Sequence, residues 1–154
     1  MGYGSYSATD WSKLKSSRQL SNTNSVSEVF TRKSCDPKYD PRYIGTRECF
    51  DSDDHPHSTP IVVGLDVTGS MGYLAVKVAS EALNELIMKL YSTGSVEDPA
   101  LMCAAYGDYL DVSPLQVTQF ESDIRIAEQL LELYFENGGS GDVVPTCLWH
   151  FLAN

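Results

Sequence analysis

Three oxygen-bearing side chains stand at alternate positions in one short segment of the chain: Asp66, Thr68 and Ser70. The segment follows an apolar run, residues 61–65, and precedes a helical pattern, so a strand should end in a loop that leads into a helix. Carboxylate and hydroxyl oxygens at this spacing can converge on a hard cation such as Mg²⁺ or Mn²⁺. The free amides at the start of a helix favour an anion beside it. The same side chains can instead cap the helix with no metal bound.

A further carboxylate, Asp108, follows a second apolar run at residues 100–106. In a parallel sheet, the loops at the carboxyl ends of the strands meet in one crevice. Asp108 is therefore a candidate to lie near the same cation. Its alternative role is that of an ordinary turn residue.

The charge of the chain restricts its partners. The 154 residues carry 21 acidic and 11 basic side chains, a formal net charge of −10. Such an excess argues against a nucleic acid and against an anionic membrane surface as the partner. No apolar run is long enough to span a bilayer, and the N-terminus does not resemble a secretory signal. These features predict a protein of the cytoplasm, or of a virion assembled there, with a protein as its partner.

The four cysteines have no Cys-x-x-Cys spacing, and without a signal sequence we expect reduced thiols. A zinc site remains an alternative, although its spacing matches no common zinc pattern. It would be formed by Cys35, Cys49, His55 and His57.

The composition divides the chain near residue 60. Residues 1–59 are rich in polar residues and predict a poorly structured, partly disordered N-terminal extension. Residues 60–154 alternate between strand and helix patterns, which predicts an α/β domain with a mostly parallel, Rossmann-like sheet flanked by helices. We expect strands at 61–65 and 100–106, an edge strand at 115–120, and helices from about 72 to 91, from Ser122 and from about 143. The second of these helices would bury Ile124, Ala127, Leu130, Leu131, Tyr134 and Phe135.

Residues 61–72, IVVGLDVTGSMG, resemble the first strand and loop of von Willebrand factor A (vWA) domains. That family carries Asp-x-Ser-x-Ser in this loop, the metal-ion-dependent adhesion site (MIDAS), and Thr68 replaces the first Ser by another hydroxyl. The order of elements from 61 to 142 also resembles the first half of the vWA fold. The resemblance is closest to intracellular bacterial or phage vWA proteins, with the second half of the fold missing or truncated.

The resemblance implies a set of metal ligands. Thr68 and Ser70 would bind Mg²⁺ or Mn²⁺ through their hydroxyls, and Asp66 would hold a coordinated water. The family takes another hydroxyl from a second loop, where Ser140 is the nearest one in this chain; Asp142 and Thr146 are the alternatives. The family's last contribution is an Asp at the end of a later strand, which this sequence does not reach.

The function implied is a non-enzymatic, metal-dependent protein-binding module. The cation would keep one position open for an Asp or Glu of a partner protein. By analogy with intracellular members of the family, that partner would be a MoxR-type AAA+ ATPase.

Two other functions compete with this one. The chain could be a structural or assembly protein of a phage or bacterial particle, with a vestigial loop and an oligomeric state. It could also be a Mg²⁺-dependent phosphohydrolase, although Thr68 takes the place of the second Asp that such enzymes use as the general acid. A P-loop would need a Lys before a Ser or Thr, and the loop has none.

Overall fold

In the part of the chain that the structure describes, three strands form the central sheet. β1 is Thr59–Asp66, β2 is Pro99–Tyr106 and β3 is Leu115–Val117, in the order β1-β2-β3. β1 and β2 are parallel, with Asp66 opposite Tyr106, whereas β2 and β3 are antiparallel. The expected α/β architecture is confirmed as a mixed three-stranded sheet flanked by helices. The parallel pairing of β1 with β2 joins eight residue pairs and the antiparallel pairing of β2 with β3 joins three, and the Rossmann-like identity of the sheet stays a prediction.

The computed structural model describes residues 5–136, 138 and 146–153, and for Thr146, Cys147 and His150 it describes only the backbone. The helices within these ranges are α1 (Ala8–Ser17), α2 (Val26–Val29), α3 (Gly72–Lys77), α4 (Leu83–Thr93), α5 (Arg125–Leu131) and α6 (Thr146–Leu152). Short 3-10 turns occupy Pro37–Tyr39 and Gly69–Met71. None of these helices is both long and apolar enough to cross a membrane.

α3 and α4 form one long helix, as the sequence predicts, with a π turn at Val78–Ala82 between them. The helix ends at Thr93, and its C-cap Gly94 has a left-handed φ of 58°, which suits glycine. The buried stripe of the helix includes Ala79, Leu83 and Ile87. Leu86 follows Ala82 at helical spacing but is 39 % exposed, so the apolar side of the helix extends beyond the part that is buried.

The two faces of the sheet pack differently. Ile61, Val63 and Leu65 of β1 contact the main apolar cluster, which also contains Leu83 of α4. Val62 points to the opposite face, where a smaller cluster forms. This alternation follows from the two-residue period of a strand. A strand with apolar residues on both faces is typical of the interior of a sheet, yet β1 lies at the end of the three-strand order.

β3 differs from the expected half-solvated edge strand. Gln116 and the following Thr118 are buried, because their side chains complete hydrogen bonds of the backbone. In the Gln116 side chain, Nε2 donates to the Tyr134 carbonyl (2.7 Å) and Oε1 accepts from the Tyr134 backbone amide (2.9 Å). Thr118 Oγ1 accepts from the Cys103 amide at 2.9 Å. The polar side chains at alternate positions therefore form hydrogen bonds inside the protein and do not face solvent.

The helix predicted from Ser122 begins later and ends earlier. α5 starts at Arg125, whose amide donates to Asp123 Oδ1 at 3.0 Å, and Ser122 does not cap it. α5 ends at Leu131, so Tyr134 and Phe135 lie outside the helix. The predicted stripe is nevertheless buried at Ala127, Leu130, Leu131 and Phe135.

The N-terminal segment contains more helix and more buried side chains than its composition predicts. Trp11 and Leu14 of α1 and Phe30 after α2 are buried in the same cluster as the long helix. Phe30 lies against Phe135 with ring centroids 5.6 Å apart. The division of the chain into domains at residue 59 stays a prediction, although residues from both sides of it share this cluster.

Burial along the long helix makes a stability prediction. Leu83 is 1 % exposed and Leu74 is 46 % exposed. Leu83→Ala should lower the free energy of unfolding by about 2–5 kcal/mol, because it removes buried methyl groups and leaves a cavity. Leu74→Ala, the matched control, should change it by less than about 1 kcal/mol. Urea unfolding followed by circular dichroism measures both values, and equal effects would contradict the packing described here.

Candidate functional site

β1 ends at Asp66, and the carboxylate of this residue organises the loop that follows. Asp66 Oδ1 accepts two hydrogen bonds from Thr68, one from the backbone amide (2.9 Å) and one from the hydroxyl Oγ1 (2.7 Å). The loop closes on itself because the donors lie two residues after the acceptor, as in an Asx turn. This closure fixes the Thr68 side chain next to the Asp66 carboxylate.

The hydroxyl of Thr68 does not cap a helix. Thr68 is the N-cap of the turn Gly69–Met71 through its carbonyl, which accepts from the Met71 amide at 3.0 Å, and no side-chain cap bond forms there. The N-cap of α3 is Met71, which has no polar side chain. The alternative role of Thr68 and Ser70 as side-chain caps is therefore not adopted.

The two hydroxyls of the loop have different surroundings. Thr68 is buried, with 3 % of its surface exposed. Ser70 is exposed and lies in the 3-10 turn that leads into α3. The exposure of Asp66 is intermediate between that of Thr68 and that of Ser70. The loop thus offers a graded set of oxygens, from a buried hydroxyl held by a carboxylate to a hydroxyl accessible to solvent.

Two further segments meet this loop. The Val67 amide donates to the Tyr106 carbonyl at 2.9 Å, which joins the loop to the end of β2. The Gly69 amide donates to the Gly138 carbonyl at 2.9 Å. Gly107 lies close as well, because a Cβ placed on it would be 3.8 Å from Cγ2 of Val67. Three segments therefore meet here: the carboxyl end of β1, the carboxyl end of β2 and the segment after α5. The meeting of the two strand ends agrees with the crevice expected for parallel strands.

Asp108 lies in the second of these segments. It is fully buried, and its Oδ1 accepts from the Leu110 amide at 3.0 Å. Its own amide donates to Asp111 Oδ2 at 2.9 Å, and its carbonyl accepts from the Asp111 amide. The side chain thus performs the turn role that the sequence offered as its alternative. Its predicted role beside a cation stays a prediction.

Two acidic residues near the site, Asp111 and Glu136, are not among the residues predicted from the sequence. The Glu136 carboxylate accepts from the amides of Val112 and Ser113 at 3.0 and 3.1 Å. The Asp111 carboxylate lies directly against Gly107 and Gly138, where a Cβ would collide with it. The spacing Gly-Asp-x-x-Asp after a buried strand could have indicated Asp111, because glycine leaves room for the carboxylate.

The electrostatic environment of Asp111 is unfavourable to its charge. Burial raises the pKa of the Asp111 carboxyl above its usual value, and the negative charges of Glu136 and Asp108 raise it further. The hydrogen bond from the Asp108 amide acts in the opposite direction. The loop beside the candidate site therefore concentrates negative charge, which a bound cation would relieve.

The described residues do not include every predicted ligand. Ser140 and its alternative Asp142 lie outside them, and so does the side chain of Thr146. Gly138, two residues before Ser140, is described and contacts the loop through the Gly69 amide. The predicted roles of these three residues stay predictions.

Within the described part of the chain, no three His, Cys, Asp or Glu side chains group so as to hold a metal ion. The zinc set of Cys35, Cys49, His55 and His57 lies entirely in that part and forms no such group. The Asp66–Ser70 loop instead offers one carboxylate and the hydroxyls of Thr68 and Ser70.

The residues of the loop fit a magnesium ion in their chemistry. All the candidate donors are oxygens, the ligands that Mg²⁺ prefers. Thr68 Oγ1 lies 2.7 Å from Asp66 Oδ1, so the hydroxyl that would bind the ion has a carboxylate beside it that could hold a coordinated water.

A large cavity lies beside the sheet. Its volume is about 1110 Å³, and it lies between the sheet face that carries Met102 and Leu115 and the segment from Asp40 to Phe50. None of Asp66, Thr68 and Ser70 lines it. Asp111, which lies against Gly107 and Gly138, is among its lining residues.

Comparison with known proteins adds no identification. No protein-family model matches the chain, no curated protein matches it, and no solved structure matches its fold.

The environment of Asp111 predicts a pH-dependent effect of Asp111→Asn. Because the folded-state pKa is above the unfolded value, ionisation costs stability as the pH rises through the folded pKa. Asn can still accept from the Asp108 amide but carries no charge, so the variant should melt at a higher temperature than the wild type at pH 7. Below about pH 3, where both side chains are neutral, the difference should disappear. Thermal unfolding at both pH values tests this, and a lower melting temperature of the variant at pH 7 would contradict it.

Proposed function

We propose that the protein is a metal-ion-dependent protein-binding module that holds Mg²⁺ or Mn²⁺ at the Asp66–Ser70 loop and binds an acidic residue of a partner. The observation that carries the proposal is the hydrogen bond from Thr68 Oγ1 to Asp66 Oδ1. Because this hydroxyl donates its hydrogen bond to the carboxylate, the lone pairs of its oxygen remain available to a cation. A carboxylate that orients a ligand in this way also makes the ligand a better donor.

Each residue of the loop has a role in this proposal. Thr68 and Ser70 bind the cation through their hydroxyls. Asp66 orients Thr68 and holds a water on the ion. Ser140 completes the set from the segment after Gly138, and Asp108 adds negative charge from the neighbouring loop. When bound, the cation supplies a positive charge with an open coordination position.

The net charge of the chain explains why a cation is useful here. A protein with a formal charge of −10 repels an acidic partner. A divalent ion at an exposed loop reverses the local charge, and a carboxylate on a metal is a directional, charge-assisted contact. A small contact area can then select a partner, for which a MoxR-type AAA+ ATPase is our candidate by resemblance to vWA proteins.

The assembly alternative has an observation in its favour. The Asp66 carboxylate is satisfied by Thr68 without any ion, so the loop is stable as a purely structural turn. In that case the protein is a particle component with a vestigial loop. The phosphohydrolase alternative has no comparable support, because no second carboxylate stands at position 68.

The proposal predicts cation binding that depends on the loop hydroxyls. Isothermal titration of the full chain with MnCl₂ or MgCl₂ should give one site. Thr68→Val, which keeps the shape of the side chain and removes the hydroxyl, should weaken the binding at least about tenfold, as should Ser70→Ala and Asp66→Ala. Glu97→Gln, an exposed loss of one negative charge elsewhere, is the control and should leave it unchanged.

Acidic ligands provide the second half of the test. Immobilised peptides with a single Asp or Glu should retain the protein in the presence of Mn²⁺, and excess EDTA should release it. The matching Asn or Gln peptides should not retain it. If the cation binds but EDTA does not affect peptide retention, the adhesive function is wrong. If no cation binds and the variants behave as the wild type, the loop is a structural turn.

A further inference from the structure

The large cavity lies on the face of the sheet opposite the long helix. Its volume of about 1110 Å³ exceeds the range of about 300–1,000 Å³ that is common for small-molecule sites. Met102 of β2 and Leu115 of β3 contribute to one wall, and the segment from Asp40 to Phe50 contributes another. The cavity therefore has room for an elongated molecule.

Most of the cavity wall is apolar. Met102 and Leu115 belong to the smaller apolar cluster, against which Phe120 and Phe151 pack. Three more large apolar side chains line the cavity and are exposed: Phe50, Val112 and Leu152. Covering such side chains removes apolar surface from water, which is favourable in proportion to the area covered. The walls therefore favour a ligand with a long apolar part.

Arg47 brings a positive charge to this wall. Its Nη2 donates to the Lys38 carbonyl, whereas its Nε is buried and has no hydrogen-bond partner among the described residues. Burial lowers the pKa of the Arg47 guanidinium, and among the described groups that act on this pKa none is a carboxylate. No described side chain thus neutralises this partly enclosed charge, and an anion beside it would do so.

The other charged side chains that line the cavity have partners or face solvent. Arg42 Nη2 lies 2.6 Å from Asp40 Oδ2, so these two charges compensate each other. Asp111 Oδ2 accepts from a backbone amide at 2.9 Å, and Glu48 is exposed. Arg47 is therefore the group that would distinguish an anionic ligand from a neutral one.

The net charge limits how acidic such a ligand can be. A chain with a formal charge of −10 repels polyanions, and two carboxylates, Glu48 and Asp111, line the cavity itself. A single carboxylate can still form charge-assisted hydrogen bonds with a guanidinium. We propose that the cavity binds a free long-chain fatty acid, with the carboxylate at Arg47 and the hydrocarbon chain along Met102 and Leu115.

Isothermal titration of the full chain with lauric acid tests this directly, at concentrations too low for micelles and with EDTA present. We expect a single site. Dodecanol, which has the same chain length and no charge, should bind at least about tenfold more weakly, because it cannot form the charge-assisted contact. No binding of either ligand, or dodecanol binding as tightly as lauric acid, would overturn the proposal. Because EDTA removes divalent ions, the result is independent of the proposed metal-binding function.

Arg47→Met is the specific variant, because it removes the charge and keeps an unbranched apolar side chain. It should weaken the binding of lauric acid at least about tenfold and leave the binding of dodecanol unchanged. Lys89→Met removes an exposed positive charge from α4 and is the control, which should bind lauric acid as the wild type does. If a folded Arg47→Met protein, checked by circular dichroism, also retains the wild-type affinity for lauric acid, the proposal is wrong.

Methyl NMR of the wild-type protein keeps the test decisive if Arg47→Met fails to fold. Met102 lines the cavity, whereas Met88 packs against the main apolar cluster on the other face of the sheet. Lauric acid should shift the Met102 methyl signal until the site is saturated, and its methylene protons should give nuclear Overhauser effects to that methyl group. The Met88 signal should not move. Effects at Met88 instead of Met102, or at neither, would overturn the proposal.

Discussion

The carboxylate of Asp66 holds the candidate site together. It stands at the last residue of β1 and accepts both the amide and the hydroxyl of Thr68. Without this acceptor, the buried hydroxyl of Thr68 would lose its partner, which is costly for a polar group away from water. The turn also directs the Gly69 amide to the Gly138 carbonyl. One carboxylate thus fixes the loop and, through it, the approach of the segment after α5.

The sheet explains why the loops meet. Because β1 and β2 are parallel and in register from Thr59 to Asp66, both end at the same edge. The turn after β2 therefore lies beside the turn after β1, and its acidic residues, Asp108 and Asp111, bring negative charge to the same edge. Burial, and then the charges of Glu136 and Asp108, raise the pKa of the Asp111 carboxyl.

The sequence predicted what depends on local pattern and missed what depends on tertiary contacts. The apolar runs predicted β1 and β2, and the helical period predicted the long helix, because burial on a regular element imposes a regular spacing. The polar residues of β3 could not be interpreted from alternation, since Gln116 and Thr118 bond to distant backbone groups. Asp66 and Thr68 were found together because their contact is local. Asp111 and Glu136 were missed because their setting depends on two other segments.

The central claim is that the Asp66–Ser70 loop holds a divalent cation, and paramagnetic NMR tests it most directly. Mn²⁺ added to the ¹⁵N-labelled protein in Mg²⁺-free buffer broadens the amide signals nearest to the ion. The account predicts that Thr68, Gly69 and Ser70 broaden first, followed by Gly107 and Gly138, while Asp98 at the far end of β2 is unaffected. Mg²⁺ in excess should restore the signals. Uniform broadening over the acidic surface, or broadening centred elsewhere, would contradict the claim.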